Sequence, residues 1–245
     1  MEKNTLTEIK KGQTGTGLLI EHEGYISSDC GDNKKLFEDI NSRIGTDEPI
    51  CPEHFIVSAV FQKFGIENAN GRIYPEHVLK REVEKYMEKI AGNKFGEKRA
   101  IGECNHPDDT VINLSRVAMN IIELHWVGHT LVGKLEVLTS PGFRKYGIIS
   151  CEGDQIANLL LQGIKIGVSS RGMGTVTNKM GVLYVGDDYE IVCWDFVSEP
   201  STPLAYVSDN DEVIQSYVEG KENKKPQLTE NITKIDKALE ILKDF

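Results

Sequence analysis

The stretch Leu131-Val-Gly-Lys-Leu-Glu-Val-Leu138 has the period-two pattern of a β-strand, and it sets the fold class of the region around it. The odd-numbered positions of this stretch carry apolar or small residues, and the even-numbered positions include Lys134 and Glu136. One face of the strand is therefore expected to be buried. The preceding run, Val117–Trp126, is also strand-like, and Val127-Gly-His129 between the two runs is a hairpin signal. The two segments therefore predict a β-hairpin in a β-rich domain.

Shorter strands and two helices are predicted on either side of this hairpin. The first helix follows Pro75, because proline suits a first helical turn and apolar residues then recur at helical spacing through about Ile90. The second helix covers about residues 153–162 and ends at Gly163, and residues 139–152 before it are expected to form a loop. The additional predicted strands are Phe55–Phe61, Ile164–Ser169, Val182–Val185 and Tyr189–Ser198.

These elements place one mixed α/β, β-rich domain at about residues 55–207. Residues 1–54 are rich in Gly, Lys, Asp and Glu and predict an irregular leader with a short strand near Leu18–Ile20. Residues 208–225 are polar and typical of a linker, and an amphipathic tail helix completes the segment 208–245. The tail helix is marked by apolar residues at helical spacing, Ile232, Ile235, Leu239, Leu242 and Phe245.

Composition excludes several classes of function. The chain has 245 residues, 27% of them charged, and a formal net charge of -10, which disfavours general nucleic-acid binding and an anionic membrane surface. The five cysteines are odd in number and include no C-x-x-C pair, so a disulfide framework is not expected and a reducing cytosol fits best. The N-terminus lacks the apolar core of a signal peptide, and no apolar run reaches the length of a membrane span. The expected location is a cytoplasm.

The first segment whose residues are suited to catalysis is Gly102-Glu-Cys-Asn-His-Pro107. A residue before proline is pushed towards extended geometry, so His106 is expected at the end of a strand, on the rim of a cleft. The ordinary alternative is a surface or capping histidine, which is the commoner role for a lone histidine. Cys104 and His106 also suggest a metal, but the other cysteines are isolated and the spacing of a zinc site is absent.

The second segment is Gly167-Val-Ser-Ser-Arg-Gly-Met-Gly174, where an apolar strand meets glycines. Glycine lets the backbone approach a substrate and aim N–H groups at one point, and such groups, with Arg171 nearby, are able to stabilise an oxyanion. Either Ser169 or Ser170 is a candidate nucleophile. The alternative is a tight turn with solvated serines.

The third segment is Cys193-Trp-Asp-Phe-Val-Ser-Glu-Pro-Ser-Thr202. Asp195 stands between two aromatic residues in an apolar strand, and a carboxylate in such surroundings needs a partner. A histidine would satisfy it and would itself be held in one tautomer, as in a nucleophile–base–acid triad. The alternative is that Asp195 faces solvent, since alternate strand positions point in opposite directions. The residues alone indicate a β-rich domain with a candidate Ser–His–Asp site.

These segments, in this order, resemble the prohead core protein protease family of tailed phages. The resemblance covers about residues 55–207, and four motifs in the right order are specific where any one of them is not. Shorter matches are Trp126-Val-Gly and Leu131-Val-Gly-Lys134. The four motifs are Asn70-Gly-Arg-Ile-Tyr-Pro75, Gly102-Glu-Cys-Asn-His-Pro107, Gly167-Val-Ser-Ser-Arg-Gly172 and Asp195-Phe-Val-Ser-Glu-Pro-Ser201.

The resemblance implies a fold and a set of site residues. The fold is a closed β-barrel of the herpesvirus assemblin type, surrounded by helices. The catalytic residues implied are His106 as base and Ser169 as nucleophile, with Ser170 as the rival serine. Asp195 is chosen as the third member over His125 and His129, which flank the hairpin turn and are expected to be exposed. Residues assigned to the oxyanion or substrate are Ser170, Arg171 and Gly172.

The resemblance also implies a function. It predicts a serine endopeptidase, made as a zymogen and packaged in the prohead, that cleaves scaffold, core and capsid proteins and itself, with no cofactor. Related enzymes prefer Glu before the scissile bond and an aliphatic residue two positions earlier, which suggests self-cleavage after Glu8, Glu21 or Glu230. Neither nucleic acid nor membrane is an expected partner, and a homodimer is a state to test. The alternatives are an inactive scaffold protein with this fold and a metal-dependent hydrolase that uses Cys104, His106 and another cysteine.

Overall fold

Two five-stranded sheets and four helices make up the part of the protein that the computed structural model describes, residues 8–9, 13–20, 49–91 and 99–220. Within these ranges no helix is both long and apolar enough to cross a membrane. The predicted tail helix lies outside the described residues. The predicted cleavage positions Glu21 and Glu230 lie outside them as well.

The first sheet is built around the predicted hairpin. Its strands lie in the order β10-β2-β6-β5-β4, and every neighbouring pair is antiparallel. The turn of the hairpin contains Gly128, whose φ of 60° is a left-handed conformation that glycine adopts readily. The strand bounds are β2 Phe55–Lys63, β4 Ile101–Glu103, β5 Val117–Val127, β6 Thr130–Val137 and β10 Val207–Ser208.

The second sheet is organised by β7, the longest of the described strands at 13 residues. β1 and β9 pair with β7 in antiparallel fashion, β8 forms a hairpin with its far end, and β3 adds to β8 in parallel. The bounds are β1 Gly15–Ile20, β3 Arg72–Ile73, β7 Gly167–Lys179, β8 Val182–Val185 and β9 Glu190–Val197.

The protein is a β-rich mixed α/β protein, as expected, but the predicted closed barrel is wrong. Neither sheet in the described ranges closes on itself. Within the same ranges, the β-bridges between the two sheets are isolated ones, Cys104 with Phe196 and Gly167 with Tyr206. The physical reason is the length of the terminal strands, because β4 has three residues and β10 has two. Such short strands do not continue a hydrogen-bonded ladder from one sheet into the next.

Four helices accompany the sheets in the described ranges. The helix predicted after Pro75 is α1, Glu76–Ile90, and the one predicted near residues 153–162 is α3, Glu152–Leu161. Residues 139–152, predicted to be a loop, contain the short helix α2, Pro141–Tyr146. The last described helix, α4, is Asp211–Val218.

β6 is buried on both faces, whereas the alternation predicted one buried face. Its Leu135 belongs to the main apolar core, and its Val132 belongs to a second cluster that contains Ile214 and Tyr217 of α4. α4 therefore covers the outer face of the first sheet, which the strand pattern alone did not show.

Trp194 of β9 links the two sheets through the core. Its ring makes edge-to-face contacts with Phe61 of β2, at 5.7 Å between centroids, and with Tyr86 of α1, at 4.8 Å. Such pairs contribute roughly 0.5–1.5 kcal/mol each beyond the area they bury. Because Trp194 is held on the core face of β9, its neighbour Asp195 is directed to the opposite face.

Two described elements lie outside the predicted central domain. β1 falls within residues 1–54, with Leu18 and Leu19 buried, and α4 falls within residues 208–245. The short strand expected near Leu18–Ile20 is therefore present. The division into segments 1–54, 55–207 and 208–245 stays a prediction.

Candidate active site

Two neighbouring strands, β7 and β9, carry the centre of the site. Ser169 lies opposite Asp195, and Arg171 lies opposite Cys193. Directly opposed residues of an antiparallel pair have their side chains on the same sheet face, and residues two apart in one strand share a face. These four side chains therefore lie on one face. The intervening Ser170 belongs to the other face, which packs into the core.

His106 reaches this face from the other sheet. A Cβ at position 102 of β4 would lie only 1.9 Å from the carbonyl oxygen of Trp194, so glycine at this position allows β4 to run close to β9. Asn105, with a φ of 65°, then donates its N–H to β9. As a result, Nδ1 of His106 lies 2.7 Å from Oδ2 of Asp195, and both side chains are fully buried.

The Asp195 carboxylate accepts contacts on both oxygens. Oδ1 accepts the backbone N–H of Glu103 at 2.8 Å, and Oδ2 contacts His106. Burial by itself raises the pKa of Asp195, but its contacts with His106 and Arg171 and with the backbone N–H lower it, and the net pKa lies below the ordinary value. Asp195 is therefore an ionised acceptor at neutral pH. This fixes the His106 proton on Nδ1.

Arg171 is a buried cation that bridges two carboxylates. Its Nε lies 3.0 Å from Oδ2 of Asp195, and its Nη2 donates to Oε1 of Glu103 at 2.8 Å. Its Nη1 donates to the carbonyl oxygen of Asp109 at 2.8 Å. Burial alone would lower the pKa of Arg171, but its anionic neighbours raise it, so the guanidinium stays charged. A contact between the Arg171 side chain and an oxyanion stays a prediction.

Glu103 was not identified from the sequence. Its side chain is fully buried, and Oε1 accepts both from Arg171 and from the N–H of Asn113 at 2.9 Å. Nε of Arg116 lies 3.7 Å from Oε2. The available signal was the one used for Asp195, an acidic residue inside a short strand next to Gly102, because a buried carboxylate needs partners.

Comparison with known proteins places this site in a family. A sequence model described as "Prohead core protein serine protease" matches residues 18–217, a range that begins in β1 and ends in α4. The chain belongs to this family. All four motifs and all three residues of the His106, Ser169 and Asp195 group fall inside the matched range.

Two known proteins resemble this chain, one in sequence and one in fold. The chain is 29% identical over 171 residues to the prohead core protein protease of Enterobacteria phage T4, across 69% of this chain and 74% of that protein. The fold resembles the solved structure of the bacteriophage T4 capsid assembly protease, gp21, with a TM-score of 0.55 and 23% identity. That match covers 74% of this chain and 98% of the T4 chain.

Ser170 and Gly172 have packing roles in this family member. Ser170 is 3% exposed, and its Oγ has no hydrogen-bond partner among the residues that the structure describes. A Cβ at Gly172 would lie 2.5 Å from the ring of Tyr189, so glycine is needed there for the ring to pack against β7. Their assignment to the oxyanion or substrate stays a prediction.

The two thiols near the site are held in their protonated form. Burial, followed by the charge of Glu152, raises the pKa of Cys104 to about 11. Burial and the charge of Asp195 also raise the pKa of Cys193. Because the thiolate is the nucleophile, these shifts weigh against a cysteine nucleophile. In the described ranges, no three His, Cys, Asp or Glu side chains are grouped to hold a metal.

The remaining predicted residues lie elsewhere. His125 contacts Glu123 at 3.2 Å on β5, with about half of its side chain exposed. His129 lies in the hairpin turn, with its ring near Phe64. Glu8 forms an isolated parallel bridge with Leu18 of β1. The structure therefore brings His106 and Asp195 into contact and does not bring either alternative histidine to Asp195.

Proposed function

We propose that the protein is a serine endopeptidase of phage capsid maturation that acts inside the prohead, in the host cytoplasm, on scaffold, core and capsid proteins. The observation that carries this proposal is the buried contact of 2.7 Å between Nδ1 of His106 and Oδ2 of Asp195, with Ser169 opposite Asp195 on the same sheet face. Family membership supports the same chemistry. A homodimer and the lack of nucleic-acid and membrane partners stay predictions.

The mechanism assigns one role to each of the three residues. Asp195 holds the proton of His106 on Nδ1, which leaves Nε2 as the basic nitrogen. His106 takes the hydroxyl proton of Ser169 as Ser169 attacks the peptide carbonyl, and then gives that proton to the leaving amine. A water molecule hydrolyses the resulting acyl-enzyme by the same steps.

Ser169 is assigned as the nucleophile in preference to Ser170. Ser169 shares a sheet face with Asp195, and Ser170 shares the opposite face with Trp194, which is fully buried in the core. A hydroxyl on the core face has no route to His106 without a rotation of the strand. The strand alternation therefore supports the first serine of the motif.

The oxyanion is assigned to main-chain N–H groups near Ser170, Arg171 and Gly172. The N–H of Val168 donates to the carbonyl of Ala205 at 2.8 Å, and β1 pairs with β7 only from Arg171 onward. Ser170 therefore lies between these two contacts, at the edge of β7 that faces away from β9. An N–H group at this position is close to the nucleophile, as an oxyanion contact requires.

Self-processing is the second part of the proposal, with cleavage after Glu as the family resemblance suggests. β1 runs antiparallel to β7 and ends with Ile20 opposite Arg171. The direction of β1 therefore supports cleavage after Glu21 before cleavage after Glu8 or Glu230.

Two measurements on the full chain test this function. Mass spectrometry should find new termini after Glu residues in the parent chain and only intact chain in Ser169→Ala. A serine-directed phosphonate should label Ser169, and a chelator should not prevent labelling. Identical termini in both proteins would contradict the proposal of self-processing. No phosphonate adduct and no cleavage of scaffold or capsid protein would favour the inactive scaffold alternative, and loss of cleavage in chelator alone would favour the metal-dependent one.

A further inference from the structure

A pair of buried charges lies behind the three catalytic residues and has no step in the mechanism. Arg171 and Glu103 are both 0% exposed, although burying a charge in a protein is costly unless it is paired. Arg171 contacts Asp195 on one side and Glu103 on the other. The chain therefore maintains a carboxylate–guanidinium–carboxylate row whose first member orients the catalytic base.

We propose that Arg171 and Glu103 are positioning residues that act through Asp195, fixing the orientation of its carboxylate and setting the pH range in which His106 works as a base. The proposal rests on the function assigned above. It goes beyond that function because neither side chain touches the reacting atoms.

The orientation argument follows from the contacts of the Asp195 carboxylate. Nε of Arg171 lies 3.0 Å from Oδ2, and Nη2 of the same group donates to Oδ1 at 3.3 Å. A planar guanidinium that spans both oxygens of a carboxylate restrains its rotation better than a single point charge does. The N–H of Glu103 also donates to Oδ1, at 2.8 Å. Oδ2 is therefore held towards His106.

The charge argument predicts effects of opposite sign. Asp195 favours the protonated imidazole, and the positive charge of Arg171 opposes it. Removing the Arg171 charge should therefore favour protonation of His106 and move its titration to higher pH. The negative charge of Glu103 partly offsets Arg171 at a contact of 2.8 Å. Removing the Glu103 charge should therefore strengthen the effect of Arg171 and move the titration to lower pH.

Other titratable or charged groups lie on the elements packed around Asp195, Arg171 and Glu103. All variants below keep these groups, so they do not affect the direction in which the His106 titration shifts. They are Tyr86 and Lys89 of α1, Cys104, Arg116, Glu152 of α3 and Cys193.

The test compares Arg171→Met, Arg171→Lys and Glu103→Gln in the full chain. The rate of phosphonate labelling of Ser169 is measured against pH, and its acidic limb reports protonation of the base. The acidic limb should move to higher pH by about one unit or more in Arg171→Met and to lower pH in Glu103→Gln. In Arg171→Lys the limb should stay near that of the parent, while the plateau rate falls because the two-pronged contact is lost.

A second readout separates this proposal from the proposed function. NMR titration of the His106 ring in a Ser169→Ala background needs no catalysis, and it should show the same opposite shifts. If the parent chain does not react with the phosphonate, the peptidase assignment fails while this titration still decides the inference.

The matched control is Glu136→Gln. Glu136 is also a buried carboxylate, but it lies on β6 and pairs with His54 at 2.7 Å, away from Asp195. It should leave the acidic limb unchanged. Folded Arg171 and Glu103 variants that titrate like the parent, or that shift in the same direction as each other, overturn the proposal. If Arg171→Met does not fold, Glu103→Gln alone decides it.

Discussion

Strand alternation gives two adjacent serines, Ser169 and Ser170, different surroundings. Ser169 and Ser170 are equivalent in the sequence, and both are almost fully buried, so neither composition nor exposure separates them. Their opposed residues do, because Ser169 faces Asp195 and Ser170 faces Trp194. One step along a strand therefore separates the face that carries Asp195 from the face that packs into the core.

This alternation gives the first prediction. Ser169→Ala should lower peptide hydrolysis by several orders of magnitude, as loss of a triad nucleophile does. Ser170→Ala should keep activity of the same order as the parent, since it removes a buried hydroxyl on the core face. Steady-state kinetics on a peptide containing Leu-Thr-Glu would measure both. Equal losses in the two variants, with intact folds, would contradict the assignment.

The sequence predicted Asp195 but not Glu103, although both are buried acids in short apolar strands. Asp195 stands between two aromatic residues, which makes an unpaired carboxylate implausible there. Glu103 stands between Gly102 and Cys104, and nothing in that pattern shows that Arg171 will be within 2.8 Å of it. The pairing depends on β4 approaching β9, which is a long-range property of the fold.

Short elements were the hardest to predict. α2 has six residues, too few to establish a helical period, and it is defined by Ser140 as its cap and by Gly147 with a φ of 71°. β2, β5, β6 and α1 have clear periods, and their positions agree with the sequence to within a few residues. β7 is the exception, because the predicted strand Ile164–Ser169 ends ten residues before the observed end at Lys179. Local pattern therefore predicts long elements, while caps and contacts define short ones.

Close approach between β4 and β9 gives a second prediction. Gly102→Ala places a Cβ 1.9 Å from a backbone oxygen that cannot move without moving β9. Overpacking of this kind costs about 1–3 kcal/mol, and it should also displace His106 and slow the phosphonate labelling of Ser169 by more than the stability loss explains. Urea unfolding and phosphonate labelling would measure the two effects.

Gly142→Ala in α2 is the matched control. The nearest atom to a Cβ there is Oγ of Ser140 at 3.9 Å, an ordinary contact, so activity should be unchanged. A Gly102→Ala protein with parental stability and activity would show that β4 does not need this contact.

Asp154 at the start of α3 gives a third prediction. It accepts N–H groups from Ser140 at 2.6 Å and from Ser150 at 2.8 Å, and so joins the starts of α2 and α3. Burial raises the pKa of Asp154, but these hydrogen bonds lower it by a larger amount, so the net pKa is below the ordinary value. The charged form is therefore the one that stabilises the fold.

The sign of the pH effect follows directly. A carboxylate with a lowered pKa stabilises the protein fully above its ordinary value near 4, and this contribution is lost as the pH falls through the folded value. Asp154→Asn should lower the free energy of unfolding by about 2 kcal/mol at neutral pH. The difference from the parent should shrink in acid. Urea unfolding at neutral and acidic pH tests this, and a constant difference would contradict it.

At the scale of the whole molecule, the sequence indicated the class and the site but not how the sheets connect. The resemblance implied a closed barrel, yet the described residues form two sheets joined by isolated bridges. Closure depends on the registers and lengths of the terminal strands, which are set by contacts distant in the chain. No periodicity in β4 or β10 is long enough to show them.

The position of β1 gives a fourth prediction at this scale. Because β1 is paired with the nucleophile strand of the same chain, cleavage after Glu21 should be intramolecular. Its half-time should not change when the protein is diluted about 100-fold, because a unimolecular step has no concentration dependence. Mass spectrometry over time would follow it, with Glu21→Gln as the variant that should not be cut there. A half-time that lengthens on dilution would indicate cleavage between molecules.

The bridge between Cys104 and Phe196 has a mechanical consequence. The proposed base, His106, follows β4 of one sheet, whereas Ser169 and Asp195 belong to strands of the other sheet. Next to His106, the backbone contact between the two sheets is the N–H of Asn105 on the carbonyl of Phe196 at 2.8 Å. A small separation of the two sheets at this contact would move His106 away from Ser169 without unfolding either sheet. Amide exchange at Asn105 would report how often that happens.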